Sequence, residues 1–200
     1  NLIHATIKFS IDARYAYVIA RDATVSKIDL LTLKLVKKVK AGQDSVGGVM
    51  TQDGKYIALS NYVPGEVRIL DADTLETVKQ IPAVREYEDG KKIQSRVVGI
   101  LDAPGNLLIF SLMDADGVWV VDAGKKDFPV IKKFWDAGKT PYDALVTSDG
   151  RYYLVGFLVC AGYIAWKLNS VHRLCLKRKW YYRDISVLNS ELVKIYGLSV

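Results

Sequence analysis

Few residues in this sequence have side chains suited to chemistry, and one histidine stands out among them. His4 is one of two histidines in the chain and the only one in residues 1–155, and it lies just before an apparent strand from Ile7 to Ser10. A neutral imidazole is a good metal ligand, although a single histidine is also a common structural residue. His4 is therefore a candidate metal ligand whose role depends on the elements around it.

Two carboxylates are candidates for proton transfer. Asp102 and Asp143 each lie at the predicted edge of a sheet beside a turn, where a carboxylate can exchange a proton with a ligand. The alternative for either one is an aspartate that caps its turn. The sequence contains no Gly-rich phosphate loop and no His-Glu-x-x-His, Cys-x-x-Cys or Gly-x-Ser-x-Gly motif. The catalytic classes built on those motifs are therefore excluded.

A repeated pattern predicts the elements that position these residues. Each copy has a turn signal followed by an alternating apolar run, and the copies are Ile11–Val18, Gln52–Leu59 and Ser148–Val155, with a weaker one at Ala103–Phe110. Asp-Gly before alternating apolar residues is typical of a hairpin, because Gly accepts the positive φ that the turn needs. A second apolar run follows in three copies and ends at Asp29, Asp71 and Asp122.

The spacing of these aspartates predicts the fold class. They recur at intervals of 42 and 51 residues, which matches the length of one four-stranded propeller blade. We predict an all-β chain that forms a partial β-propeller of about three and a half blades over residues 1–156. The alternative is a β-sandwich with coincidental turns, although a sandwich has no reason to keep one internal offset in successive units.

The C-terminal segment differs from the rest of the chain. Residues 156–200 carry 7 Lys+Arg against 2 Asp+Glu, whereas residues 1–155 carry 21 against 20. Both cysteines, Cys160 and Cys175, lie in this segment, and the blade period stops there. We predict a divergent basic tail at 157–200, produced by a change of reading frame or truncation, with a basic amphipathic helix as the alternative. The near-neutral body indicates that nucleic acid is not a partner.

A family resemblance rests on the stretch from His4 to Asp22 and on several later segments. These segments include Ser60–Gly65, Ser95–Val98, Val118–Asp122 and Lys139–Ala144. The pattern resembles the haem d1 domain of cytochrome cd1 nitrite reductase and its biosynthetic relatives, an eight-bladed family, over residues 1–156. The segments Val46–Gly48, Asn61–Gly65 and Pro141–Ala144 are more similar to the biosynthetic branch than to the reductase. Ala13 stands where the family pattern usually has a turn glycine.

The resemblance implies a role for each matching residue. His4 would be the proximal ligand of the haem d1 iron, and Arg21 would contact the tetrapyrrole. Lys8 and Arg96 are further candidates for pairing with ring carboxylates, because basic side chains bind carboxylates well. Tyr62 would either stack on the ring or face a neighbouring strand. A segment that leads into an inner strand lies near the central channel of a propeller, which places His4 within reach of such a ligand.

The resemblance also implies the function, a haem d1 biosynthesis protein that binds a tetrapyrrole precursor for the nitrite reductase of denitrification. The residues leave open whether it catalyses an oxidoreductase-type step, with Asp102 and Asp143 as the catalytic candidates, or is a non-catalytic haem d1 carrier. A cofactor-free interaction propeller is the third alternative. The expected partners are the tetrapyrrole and other haem d1 assembly proteins or nitrite reductase. The residues leave open whether the chain forms a homodimer. The implied location is the periplasm, although no signal peptide is recognisable in this chain.

Overall fold

The computed structural model describes residues 5–136, 138–158, 163–167 and 173–176, which form strands and turns without a helix. Sixteen strands make four antiparallel sheets, here called blades 1 to 4. The strands of blades 1 and 2 are β1 (Ala5–Phe9), β2 (Tyr15–Ala20), β3 (Thr24–Asp29), β4 (Lys34–Lys40), β5 (Asp44–Met50), β6 (Tyr56–Val63), β7 (Glu66–Asp71) and β8 (Thr77–Pro82). Those of blades 3 and 4 are β11 (Val97–Ala103), β12 (Leu107–Leu112), β13 (Gly117–Asp122), β14 (Val130–Trp135), β15 (Pro141–Val146), β16 (Tyr152–Phe157), β17 (Tyr163–Lys167) and β18 (Arg173–Leu176). No helix in the described part of the chain has the length and hydropathy to cross a membrane.

The order of strands confirms the partial propeller. Each blade is a meander in which consecutive strands pair, and the first strands β1, β5, β11 and β15 lie beside one another from blade to blade. A sandwich would instead combine strands from distant parts of the chain in one sheet. Asp29, Asp71 and Asp122 each end the third strand of a blade, as predicted.

Apolar side chains fill the spaces between consecutive blades. Because side chains alternate along a strand, one set from each sheet faces the blade before it and the other set faces the blade after it. Tyr17 and Ile19 of blade 1 pack with Ile57 and Leu59 of blade 2, and all four are almost fully buried. Corresponding clusters lie between blades 2 and 3 and between blades 3 and 4. Each such side chain contributes about 1.5–3 kcal/mol through its burial.

A repeated turn closes one edge of the blades, here called the turn edge. In blade 2 the Thr51 hydroxyl donates to Asp53 Oδ1 at 2.7 Å and accepts from the Tyr56 backbone N–H at 3.1 Å. Ser10 with Asp12 in blade 1, and Thr147 with Asp149 in blade 4, make the same two contacts. The turn also requires a positive φ, which Gly54 and Gly150 supply and which Ala13 adopts at 55°.

An extra hairpin explains the longer of the two repeat intervals. Strands β9 (Val84–Glu86) and β10 (Lys92–Gln94) pair with each other between blades 2 and 3. Arg85 Nη1 and Nη2 donate to the carboxylate of Asp136 at 3.0 and 3.1 Å, and its guanidinium stacks on Tyr87 and Trp135. The hairpin is thereby fixed to the end of blade 3.

The fourth blade differs from the prediction for the tail. Strands β17 and β18 pair with β16 and with each other and complete a four-stranded sheet, so the blade pattern continues beyond Gly156. Sheet pairing uses backbone groups, so a change in charge and side-chain period does not by itself end a blade. The nature of 177–200, which lie outside the described residues, and the division of the chain at residue 156 stay predictions.

Candidate functional site

Four polar side chains from four consecutive blades meet at the edge opposite the turn edge. Arg21 follows β2, Tyr62 lies near the end of β6, Arg96 precedes β11, and Tyr142 is the second residue of β15. Second strands end at this edge and first strands begin there, and the first strands adjoin one another. We call Arg21, Tyr62, Arg96 and Tyr142 the tyrosine–arginine cluster.

The ring of Tyr62 is at the centre of the cluster. The Cζ atoms of Arg21 and Arg96 lie 4.7 and 5.4 Å from the ring centroid, which is the geometry of a cation–π contact. The Tyr62 hydroxyl is 3.0 Å from the hydroxyl of Tyr142. This single aromatic side chain therefore connects both guanidiniums with the second phenol.

Each arginine has its own aspartate partner. Arg21 Nε and Nη2 lie 2.6 and 3.1 Å from the carboxylate oxygens of Asp44. Arg96 donates from Nε at 3.0 Å and from Nη2 at 2.5 Å to Asp114, whose carboxylate also accepts the Arg96 backbone N–H at 2.9 Å. Neither Nη1 atom donates to any residue that the structure describes. The ion pairs orient the guanidiniums and leave one donor nitrogen on each for a ligand.

The contacts of the cluster shift the pKa values of Tyr62 and of Asp114, the partner of Arg96. The hydrogen bonds from Arg96 hold the pKa of Asp114 below its usual value, so this carboxylate is a weak proton acceptor. Burial raises the pKa of Tyr62, and the hydrogen bond with Tyr142 adds to that effect, while the two guanidiniums oppose it. Tyr62 is consequently a neutral phenol at neutral pH.

A glycine lets the first strands of blades 3 and 4 approach closely at this site. Gly99 has a φ of 54°, and a Cβ atom there would collide with the main-chain oxygen of Tyr142. Its φ interrupts the pairing of β11 with β12 between Val98 and Leu101. The position of Tyr142 against Tyr62 thus depends on a residue without a side chain.

The other sequence-predicted residues lie at several places. Lys8 is the fourth residue of β1 and pairs with Tyr17, about 10 Å along the strand from the cluster edge. Asp102 pairs with Leu108 near the opposite end of β11 from Arg96, whereas Asp143 is exposed and follows Tyr142 directly. His4 lies outside the described residues, although the next residue, Ala5, pairs with Ala20 beside Arg21. No group of three or more His, Cys, Asp or Glu side chains arranged to hold a metal occurs among the residues with described positions.

Sequence reasoning missed three members of the site, Asp44, Asp114 and Tyr142. Tyr142 lies in the Pro141–Ala144 segment that carries part of the family resemblance, and its neighbour Asp143 was selected instead. Asp44 and Asp114 are 23 and 18 residues from the arginines they bind. No local sequence pattern marks such pairs.

Comparisons with known proteins agree with this architecture. A model of the cytochrome D1 heme domain family matches residues 1–174. Protein NirF of Pseudomonas aeruginosa is 47% identical over 156 residues, which are 78% of this chain and 39% of NirF. Protein NirF of Stutzerimonas stutzeri is 46% identical with the same coverage of both chains. This chain thus spans about two fifths of the length of these curated relatives.

A solved structure extends the comparison to three dimensions. The dihydro-heme d1 dehydrogenase NirN in complex with DHE superposes with a TM-score of 0.76 and 31% identity, over 86% of this chain and 36% of NirN. The residues that the family model matches, 1–174, comprise blades 1 to 3 and nearly all of blade 4. The chain belongs to the cytochrome D1 heme domain family.

Proposed function

We propose that this chain binds an iron tetrapyrrole, haem d1 or one of its precursors, in the biosynthesis of the cofactor of dissimilatory nitrite reductase. The observation that carries the proposal is the tyrosine–arginine cluster, which joins two guanidiniums and two phenols at one edge of four blades in a member of the haem d1 domain family. A periplasmic location and contacts with other assembly proteins or the reductase are parts of the same proposal.

The described residues fit a planar ring with acidic substituents. Haem d1 and its precursors carry several carboxylates, and the Nη1 atoms of Arg21 and Arg96 offer charge-assisted hydrogen bonds to such groups. Tyr62 offers an aromatic edge between them, and Lys8 on the inner strand β1 could pair with a further carboxylate. The tetrapyrrole, when bound, would supply an iron centre, for which His4 is the proposed axial ligand.

A non-catalytic carrier is the second candidate, and the position of the carboxylates favours it over an enzyme. Asp102 lies six residues from Arg96, roughly 20 Å along β11, and Asp114 is held ionised by its arginine. Of the two aspartates proposed to transfer protons, only Asp143 lies beside the cluster. An oxidoreductase-type step on a precursor would therefore depend on Asp143.

Titration of the chain with sirohaem, a carboxylate-rich iron tetrapyrrole, tests the proposal. Arg21→Gln should weaken binding about 10- to 100-fold, because it removes a charge-assisted hydrogen bond. The matched control is Arg151→Gln, since Arg151 also pairs with an aspartate, Asp149, at 2.6 Å but lies on the turn edge. His4→Ala should change the axial-ligand absorption band, and it should lower the affinity for sirohaem less than Arg21→Gln does.

The possible results separate the candidate functions. A chain that binds no tetrapyrrole, or that loses affinity equally through Arg21→Gln and Arg151→Gln, contradicts the proposal and favours a cofactor-free interaction propeller. Binding with no conversion of a precursor, unchanged by Asp143→Asn, identifies a carrier.

A further inference from the structure

The paired hydroxyls of Tyr62 and Tyr142 leave one proton without an acceptor among the described residues. The two residues lie in blades 2 and 4 and are 80 positions apart, and each phenol has one proton to donate. One proton occupies the hydrogen bond between them. Neither hydroxyl makes another hydrogen bond in the described part of the chain, so the second proton is available to water or to a ligand.

The hydrogen bond between the two phenols has two possible directions, because either hydroxyl can donate. The guanidiniums of Arg21 and Arg96 flank the Tyr62 ring, and burial keeps Tyr62 a neutral phenol that has a proton to donate. In one of the two arrangements, Tyr62 donates and the Tyr142 oxygen accepts. The O–H of Tyr142 is then the donor that points away from the pair, and its ring is only half-buried.

We propose that Tyr142 determines specificity at the tetrapyrrole site by donating this O–H to an oxygen acceptor on the ring edge of the ligand. The inference rests on the proposed function and deepens it. The guanidiniums attract any nearby carboxylate over a distance, whereas a neutral phenol forms a hydrogen bond only with an acceptor at a suitable distance and angle. Tyr62 is a positioning residue, since its hydroxyl acts through Tyr142.

The test compares two ligands, sirohaem and protohaem, which carries fewer carboxylates. Tyr142→Phe should lower the affinity for sirohaem about 5- to 10-fold, the effect of one neutral hydrogen bond, and change the affinity for protohaem less than about 2-fold. Tyr62→Phe should have a smaller effect, because Tyr142 keeps its O–H. The double variant should match Tyr142→Phe alone, and Tyr87→Phe on the β9–β10 hairpin is the matched control.

The ratio of the two affinities separates specificity from folding. If Tyr142→Phe weakens both ligands equally or neither, while Arg21→Gln still weakens sirohaem, Tyr142 is structural and the proposed function stands. If the unmodified chain binds neither ligand, both proposals are wrong. Melting temperatures of all variants, expected to agree within about 4 °C, show that each is folded.

Discussion

The two edges of the blades are built in different ways. At the turn edge, a hydroxyl and an aspartate two residues apart make the same contacts in blades 1, 2 and 4, as in the pair Thr51 and Asp53. At the cluster edge, Arg21, Tyr62, Arg96 and Tyr142 occur once each, and their contacts join different blades. The repeated hydroxyl–aspartate contacts at the turn edge lie within single blades, whereas the contacts of Tyr62 at the cluster edge join different blades.

The difference indicates where function arises in a repeat protein. A contact that several blades repeat does not make one blade different from another, so it contributes to the fold rather than to selective binding. A set of side chains that departs from the repeat makes one place chemically distinct. Substitutions at the turn edge should therefore change stability and leave binding intact, and substitutions at the cluster edge should do the reverse.

Gly99→Ala should have the largest effect on stability. It should also weaken binding, so it is an exception to the separation of stability and binding between the two edges. The new Cβ atom would collide with the main chain of Tyr142 at a φ of 54°, so we expect a loss of about 2–4 kcal/mol in the free energy of unfolding and weaker sirohaem binding. Gly90→Ala is the control, since Gly90 also has a positive φ, 80°, but has nothing within 4 Å of a built Cβ. The Gly90→Ala control should lose only about 1 kcal/mol in the free energy of unfolding. Denaturant unfolding measures both, and equal losses would show that the approach of β11 to β15 is unimportant.

Asp149→Asn should have a moderate effect that depends on pH. The Thr147 hydroxyl, the Arg151 backbone N–H and the Arg151 guanidinium lower the pKa of Asp149 to about 2. A carboxyl with a lowered pKa stabilises the folded state above its unfolded pKa of about 4 and loses that effect as the pH falls toward 2. The variant should therefore melt at a lower temperature at pH 7 and approach the unmodified chain near pH 2. Asp143→Asn is the control, and a difference that stays constant with pH would contradict the assignment.

Ala13→Gly should have the smallest effect and should be stabilising. Ala13 adopts a φ of 55° at the turn position where Gly54 and Gly150 occur in blades 2 and 4. Glycine adopts this positive φ without strain, and that gain outweighs the greater flexibility of glycine in the unfolded chain. We therefore expect the free energy of unfolding to rise by about 0.5–1 kcal/mol. Sirohaem binding should not change. A loss of stability in thermal unfolding would mean that the contacts of the Ala13 methyl group stabilise the fold by more than the removal of the strained φ does.

The sequence allowed the turn edge to be predicted more fully than the cluster edge. Asp29, Asp71 and Asp122 were placed correctly because hairpin turns and strand ends are decided within a few residues. Arg21, Tyr62 and Arg96 were selected through a family resemblance, and the structure brings them together. Tyr142 was missed, because its contact with Tyr62 spans 80 residues and depends on how three blades stack. The extension of blade 4 by β17 and β18 was also missed, since backbone pairing leaves little trace in side-chain period.

The distribution of the cluster over four blades would couple the proposed binding to the assembly of the blades. Its four members contact one another only when blades 1 to 4 are all docked, so the complete cluster does not exist in a partly folded chain that lacks one of these blades. The proposed ligand, when bound there, would add its binding free energy to the unfolding of all four blades together, by mass action. A chain shortened before β15 would keep its local turns and the contacts of Arg21 and Arg96 with Tyr62, but it would lose Tyr142 and the hydrogen bond that joins blades 2 and 4.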